Sequence, residues 1–182
     1  MTIEKTSIKD LVLIHPSLFE DERGYFFEAY NQAKFDELGI NYKFIQDNQS
    51  FSKRGVIRGL HMQINPFAQA KLVRVLEGEI LDVVVDLRKN SPTYGHHESV
   101  VLSAANKKQF MVPHGFAHGF SVLSKTASVL YKVDQLYDKN SERGIRFDDP
   151  TLAIDWQINK EEIIVSEKDL VLPSFKEIDW EF

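Results

Sequence analysis

In the stretch GVIRGLHMQINPFAQAKLVRVLEGEILDVVVDLR, residues 55–88, three polar side chains interrupt apolar runs: Arg58, His61 and Lys71. Each has an ordinary reading at the surface of a sheet and a chemical one inside a pocket. A histidine titrates near pH 6.5, so His61 suits taking and returning protons at neutral pH. Lys71 heads the apolar run KLVRV, either as a solvated strand end or as a cation aimed at a developing oxyanion. The planar fork of Arg58 suits phosphate oxygens. Further along, ASVLYKVDQLY places Ala127, Val129, Tyr131, Val133 and Tyr137 at one parity, as the inward face of one strand. A tyrosine there either packs with a satisfied hydroxyl or donates a proton into a pocket. Spacing leaves both open.

Metal chemistry finds little support in the histidine spacing. The histidines are His15, His61, His96, His97, His114 and His118. Two imidazoles on one strand face need a spacing of two. Two past His61 stands Gln63, His96 and His97 are adjacent, and PHGFAHGF reads as loop and strand rather than helix. No metal is therefore expected. Dinucleotide, P-loop and nucleophile-elbow glycine motifs are also missing, so no cofactor is expected.

The elements that must position these residues are mostly short strands. LVLIHP, YFFEAY, KFIQDNQSFS, KLVRVLEGEILDVVVDLR, ESVVLS, KQFMVP, GFSVLS and ASVLYKVDQLY are rich in β-branched and aromatic residues, with Gly, Pro, Asn and Ser between them. In ILDVVVDL, Leu81, Val83, Val85 and Leu87 share one face; Asp82 and Asp86 share the other with Ile80 and Val84. Glu77-Gly78 predicts a hairpin turn. Helical signals are few: NQAKFDELGI starts with Asn31 as N-cap and stops at Gly39, and INKEEIIVSEKDL predicts a short helix or turn. Many short strands without repeats or linkers predict a single all-β domain over residues 1–182, a jelly roll with a few short peripheral helices.

Composition narrows the partners. With 43% hydrophobic and 27% charged residues the chain has ordinary globular usage, and its net charge of −5 argues against a broad nucleic-acid surface. It has no cysteine, which excludes disulfides and thiolate chemistry. Glu4, Lys5, Lys9 and Asp10 interrupt the N-terminal apolar residues, so neither a signal peptide nor a membrane anchor is expected, and the expected location is the cytoplasm.

Several long blocks resemble the dTDP-4-dehydrorhamnose 3,5-epimerases, cofactor-free cupin-type enzymes. They run in order from FEDERGYFFE through QDNQSFSKRGVIRGLHMQ, QAKLVRVLEGEILDVVVDLRKNSPTYG, PHGFAHGFSVLS and LYKVDQLY to SEKDLVLPSF. The resemblance implies a cupin-type jelly-roll barrel, and a homodimer with exchanged or shared N-terminal strands. It also implies conversion of dTDP-4-dehydro-6-deoxy-D-glucose to dTDP-4-dehydro-L-rhamnose. By resemblance, His61 is the general base, Asp169 its orienting partner, Tyr131 the general acid, and Lys71 lies by the sugar's keto oxygen. His118 is a further pocket residue and Tyr137 helps position the sugar. The nucleotide side falls to Arg23, Glu28, Gln46, Asp47, Asn48, Arg58, Glu142 and Lys168, with Phe19 and Phe26 packing on the thymine. Without the resemblance, Asp169 in SEKD reads as a helix cap or solvated charge, and Arg23 beside Gly24 as a turn residue. Three other readings compete: epimerisation at C5 or C3 alone in another deoxysugar pathway, a metal-dependent cupin, and a non-catalytic nucleotide-sugar-binding module.

Overall fold

The computed structural model describes residues 1–182. The strands are Thr2–Lys5 (β1), Val12–His15 (β2), Phe19–Asp21 (β3), Gly24–Phe26 (β4), Gln46–Lys53 (β5), Ile57–Gln63 (β6), Lys71–Glu77 (β7), Glu79–Asp86 (β8), His97–Ser103 (β9), Gln109–Val112 (β10), Phe116–Val122 (β11), Thr126–Val133 (β12) and Glu142–Gly144 (β13). They form a six-stranded sheet in the order β1-β2-β10-β7-β12-β5, a five-stranded sheet in the order β13-β6-β11-β8-β9, and the separate hairpin β3-β4. Pairing within the sheets is antiparallel, and the architecture is a jelly roll.

The inner faces of the two sheets make the main core. Val73 and Val75 of β7, Phe110 of β10 and Val129 of β12 meet Ile80 and Val84 of β8 and Phe116 and Phe120 of β11. The alternation expected for β8 holds, but both of its faces are covered. Leu81, Val83, Val85 and Leu87 point the other way, under Ile145, Leu152 and Trp156 from the C-terminal segment. That segment also carries the short helix Glu167–Leu170 (α2), which begins where the Ser166 hydroxyl accepts the Asp169 N–H. On the outer face of the six-stranded sheet, helix Gln32–Glu37 (α1) starts as expected. The Asn31 side chain accepts the Lys34 N–H, and Gly39 takes φ +80° after the last turn. Its Phe35 is 0% exposed and seals Ile14, Leu72 and Met111.

Two expectations are corrected. YFFEAY is a strand only as far as Phe26. β12 ends at Val133, opposite Lys71, where its partner β7 begins. Asp134 then turns its carboxylate to the Ala70 N–H and to His114 Nε2, at 2.7 and 2.8 Å. Tyr137 therefore does not belong to the strand face of Tyr131. No helix is long and apolar enough to cross a membrane.

Candidate active site

Two glycines let β6 and β11 approach closely beside the chemistry-bearing residues. Gly59 has φ +114°, and a Cβ there would fall 2.6 Å from Gly119 Cα; a Cβ on Gly119 would fall 2.7 Å from the Arg58 carbonyl oxygen. The register places His61 opposite His118 and then shifts before Phe120. Both histidines are thus carried to one wall. β7 and β12, in the facing sheet, supply Lys71 and Tyr131, and α2 supplies Asp169.

These five side chains line one cavity of about 540 Å³ together with Arg58, Ser50 and Lys168. A smaller recess of about 190 Å³ shares His61, Lys71 and Tyr131 and adds Gln46, Asn48, Tyr137 and Glu142. The combined space is of the size that small ligands occupy. His61 Nε2 lies 2.7 Å from Asp169 Oδ1. Asp169 is 3% exposed, and the Gly59 N–H reaches its other oxygen at 3.4 Å. Burial pushes its carboxyl up, but the His61 hydrogen bond and charge, with Gly59 and Ser166, outweigh that and hold it below 3.8. A carboxylate there assigns the Nε2 proton to His61 and leaves Nδ1 as its basic nitrogen.

Lys71 donates from Nζ to the His61 carbonyl at 3.2 Å. It keeps some surface in the cavity, while protein surrounds its ammonium on the other sides. That desolvation brings it down to about 8, against the pull of Asp82 and Glu142. Burial raises the Tyr131 phenol, which Arg58 opposes and Glu142 reinforces. The phenol therefore keeps its proton at neutral pH. At the mouth, Glu142 Oε2 accepts from Lys168 Nζ at 2.6 Å and from the Tyr137 hydroxyl at 2.8 Å. Arg58 is steadied by the Ser52 hydroxyl at 3.0 Å, and Gln46 donates to Asn48 at 2.8 Å.

Not every residue named from the sequence reaches this space. Asp47 is the opposite parity of β5 from Gln46 and Asn48 and pairs with Lys132 at 2.8 Å, away from the cavity. Arg23, Phe19 and Phe26 lie on the β3-β4 hairpin, around a separate surface recess. Arg23 is engaged with Asp21, and Glu28 with Lys34 and Asn31. The structure adds Asp82, which is 0% exposed and accepts from His118 Nε2 at 2.9 Å. Its signal in the sequence was an aspartate at an inward, apolar parity of ILDVVVDL. Ser50 also faces the cavity wall, with a buried hydroxyl that has no protein partner. No group of three His, Asp or Glu side chains is arranged to hold a metal ion.

A histidine held by a carboxylate, a phenol and a desolvated ammonium around one enclosed space can move protons on and off carbon while holding an oxyanion. Fold and site together define an acid–base isomerase built on a jelly roll. The sequence pattern of dTDP-4-dehydrorhamnose 3,5-epimerase matches residues 5–177, so the chain belongs to that family. The chain is 46% identical over 181 residues to the dTDP-4-dehydrorhamnose 3,5-epimerase of Shigella flexneri, covering 99% of each. It superposes on the crystal structure of the enzyme from Elizabethkingia anophelis NUHP1 with a TM-score of 0.95, at 54% identity and 99% coverage of both chains. A dTDP-6-deoxy-D-glucose-3,5-epimerase from Legionella pneumophila Philadelphia 1, solved in complex with dTDP-4-keto-L-rhamnose, gives a TM-score of 0.93 at 46% identity, covering 98% of this chain and 94% of that one.

Proposed function

We propose that the protein inverts C3 and C5 of dTDP-4-dehydro-6-deoxy-D-glucose, giving dTDP-4-dehydro-L-rhamnose, by side-chain acid–base chemistry alone. The observation that carries this reading is the 2.7 Å His61–Asp169 pair facing Lys71 and Tyr131 across one cavity. The 4-keto group acidifies the C–H bonds at C3 and C5. Nδ1 of His61 takes a proton from one face, and Asp169 stabilises the resulting imidazolium. The electron pair left on carbon delocalises to the C4 oxygen, beside the Lys71 ammonium. Lys71 spends one of its three donors on the His61 carbonyl, which leaves two for that oxygen. Tyr131 returns a proton to the opposite face, and configuration inverts.

Arg58 and Lys168 suit the diphosphate, and Gln46, Asn48, Glu142 and Tyr137 the smaller recess. The β3-β4 hairpin has Phe19, Tyr25 and Phe26 exposed at 64%, 58% and 66%. Such a surface favours a homodimer, with Arg23, Phe26 and Glu28 serving the nucleotide end of the partner's site. A cytoplasmic location goes with the nucleotide-sugar substrate.

Incubation in D2O, followed by proton NMR at C3 and C5, tests the roles. In Tyr131→Phe, deuterium should enter the starting sugar faster than inverted product forms, because the base works and the acid is gone. His61→Ala should show neither event while still binding dTDP. Product formation by Tyr131→Phe at close to the unmutated rate removes Tyr131 as the acid. Exhaustive chelation should leave the rate unchanged; loss restored by one divalent ion would favour the metal-dependent reading.

A further inference from the structure

One charged group inside the barrel has no role in the reaction above. Asp82 sits on the inward parity of β8 between Ile80 and Val84, in the main core, and is 0% exposed. A carboxylate so placed is disfavoured unless something holds it there. Its hydrogen bonds run to one side chain, with both oxygens facing His118 Nε2 at 2.9 and 3.0 Å. His118 is 7% exposed and lines the cavity with Lys71 and Tyr131. We propose that Asp82, which touches no substrate, is a positioning residue for the epimerisation: it fixes the His118 ring through Nε2, and its buried charge holds Lys71 in the ammonium form. The inference rests on the oxyanion role given to Lys71.

The titratable and charged groups lining the cavity with Lys71 are Glu142 from β13, His61 and Arg58 from β6, His118 from β11, Tyr131 from β12, and Lys168 and Asp169 from α2, with Asp82 of β8 behind His118. Three of these are carboxylates, and Asp169 is committed to His61 at 2.7 Å. Glu142 is partly exposed and already shared between Lys168 and Tyr137, so its field is screened and divided. Asp82 is out of reach of solvent, and its field acts through protein. Asp82 and Glu142 both oppose the desolvation that brings Lys71 down to about 8, and Asp82 is the larger of the two. Without Asp82, Lys71 loses its proton at lower pH and the oxyanion loses its counter-charge.

The test compares the unmutated enzyme with Asp82→Asn, which keeps the shape and an acceptor for His118 but removes the charge. Two quantities are read: kcat/KM from pH 6 to 10, and the Lys71 titration by NMR of lysine labelled at Cε. The alkaline limb and the Lys71 midpoint should move down together by about one pH unit. At pH 9 kcat/KM should then fall about tenfold more than at pH 6. Where Asn disturbs folding, Asp82→Ser carries the same expectation. Equal losses at every pH, with an unmoved Lys71 midpoint, would mean that Asp82 only supports the fold and would overturn the proposal. Lys71→Arg in the otherwise unmutated protein separates the two levels, since a guanidinium stays charged throughout. If that variant keeps the limb, the oxyanion role itself fails. If it loses the limb while Asp82→Asn leaves it in place, only the present inference fails.

Discussion

Burial brings the Lys71 ammonium to about 8, and this sets opposite pH dependences for activity and stability. The proposed oxyanion role needs the charged form, so kcat/KM should fall as pH rises through about 8. Stability runs the other way. Between about 8 and 10.5 the unfolded chain binds a proton that the folded one has shed, so Lys71 makes unfolding harder as pH rises through that window. Parallel pH series of rate and thermal midpoint should diverge there, and Lys71→Arg should remove both trends. At Asp169 the expectation is a rate effect without loss of fold. Asp169→Asn keeps the size of the side chain but no longer favours the Nε2 tautomer of His61. A drop in kcat of about 10²–10⁴ is expected, with dTDP binding retained; a change under threefold would release Asp169 from the mechanism.

The β6-β11 crossing sets the wall on which both pocket histidines stand, and it tolerates no side chain. Gly119→Ala would put a Cβ 2.7 Å from the Arg58 carbonyl oxygen and 3.2 Å from Gly59 Cα. The strands must part, which should cost about 1–3 kcal/mol. Calorimetry and kcat together check this: the midpoint should fall, and activity should fall in the protein that remains folded. A different element governs acid tolerance. At the end of β8, burial pushes the Asp86 carboxyl up, but hydrogen bonds from Arg88, Ser91 and Thr93 hold it at about 2. Because 3.8 is its ordinary value, its stabilisation is present above about 3.8 and lost as pH falls toward 2. Asp86→Asn should flatten the acid side of the stability profile in that window. Most of these elements were legible in the sequence because their signals are local: the α1 caps at Asn31 and Gly39, the alternation of β8, the turn at Gly78. The end of β12 was not. Parity continues through Tyr137, but the strand stops where β7 offers no further partner, and that depends on tertiary pairing. Which way Asp47 faces is settled by parity rather than by its motif: it sits between Gln46 and Asn48, and alternation turns it to the far side of β5.

At the scale of the molecule, the exposed rings of the β3-β4 hairpin set the expected association. Light scattering should report twice the 21.0 kDa of one chain at assay concentration. Phe26→Asp should shift the population toward the monomer and raise KM, while each barrel keeps its own His61, Lys71 and Tyr131. A stable 21.0 kDa species in the unmutated protein would refute the dimer. Another feature of the whole chain concerns how the enzyme comes into being. His61 and Asp169 lie 108 residues apart in the chain. As the polypeptide leaves the ribosome, all thirteen strands emerge before the carboxylate that completes the base. Translation that stops short of α2 would therefore release a barrel with its cavity walls but an unpaired histidine. Phe175, Ile178, Trp180 and Phe182 follow α2 and pack against the cluster that holds Leu81, Val83 and Val85, so such a fragment also leaves part of an apolar surface open to chaperones and proteases. Catalytic competence and the last of that cover arrive with the same stretch of chain, so a truncated product lacks both together.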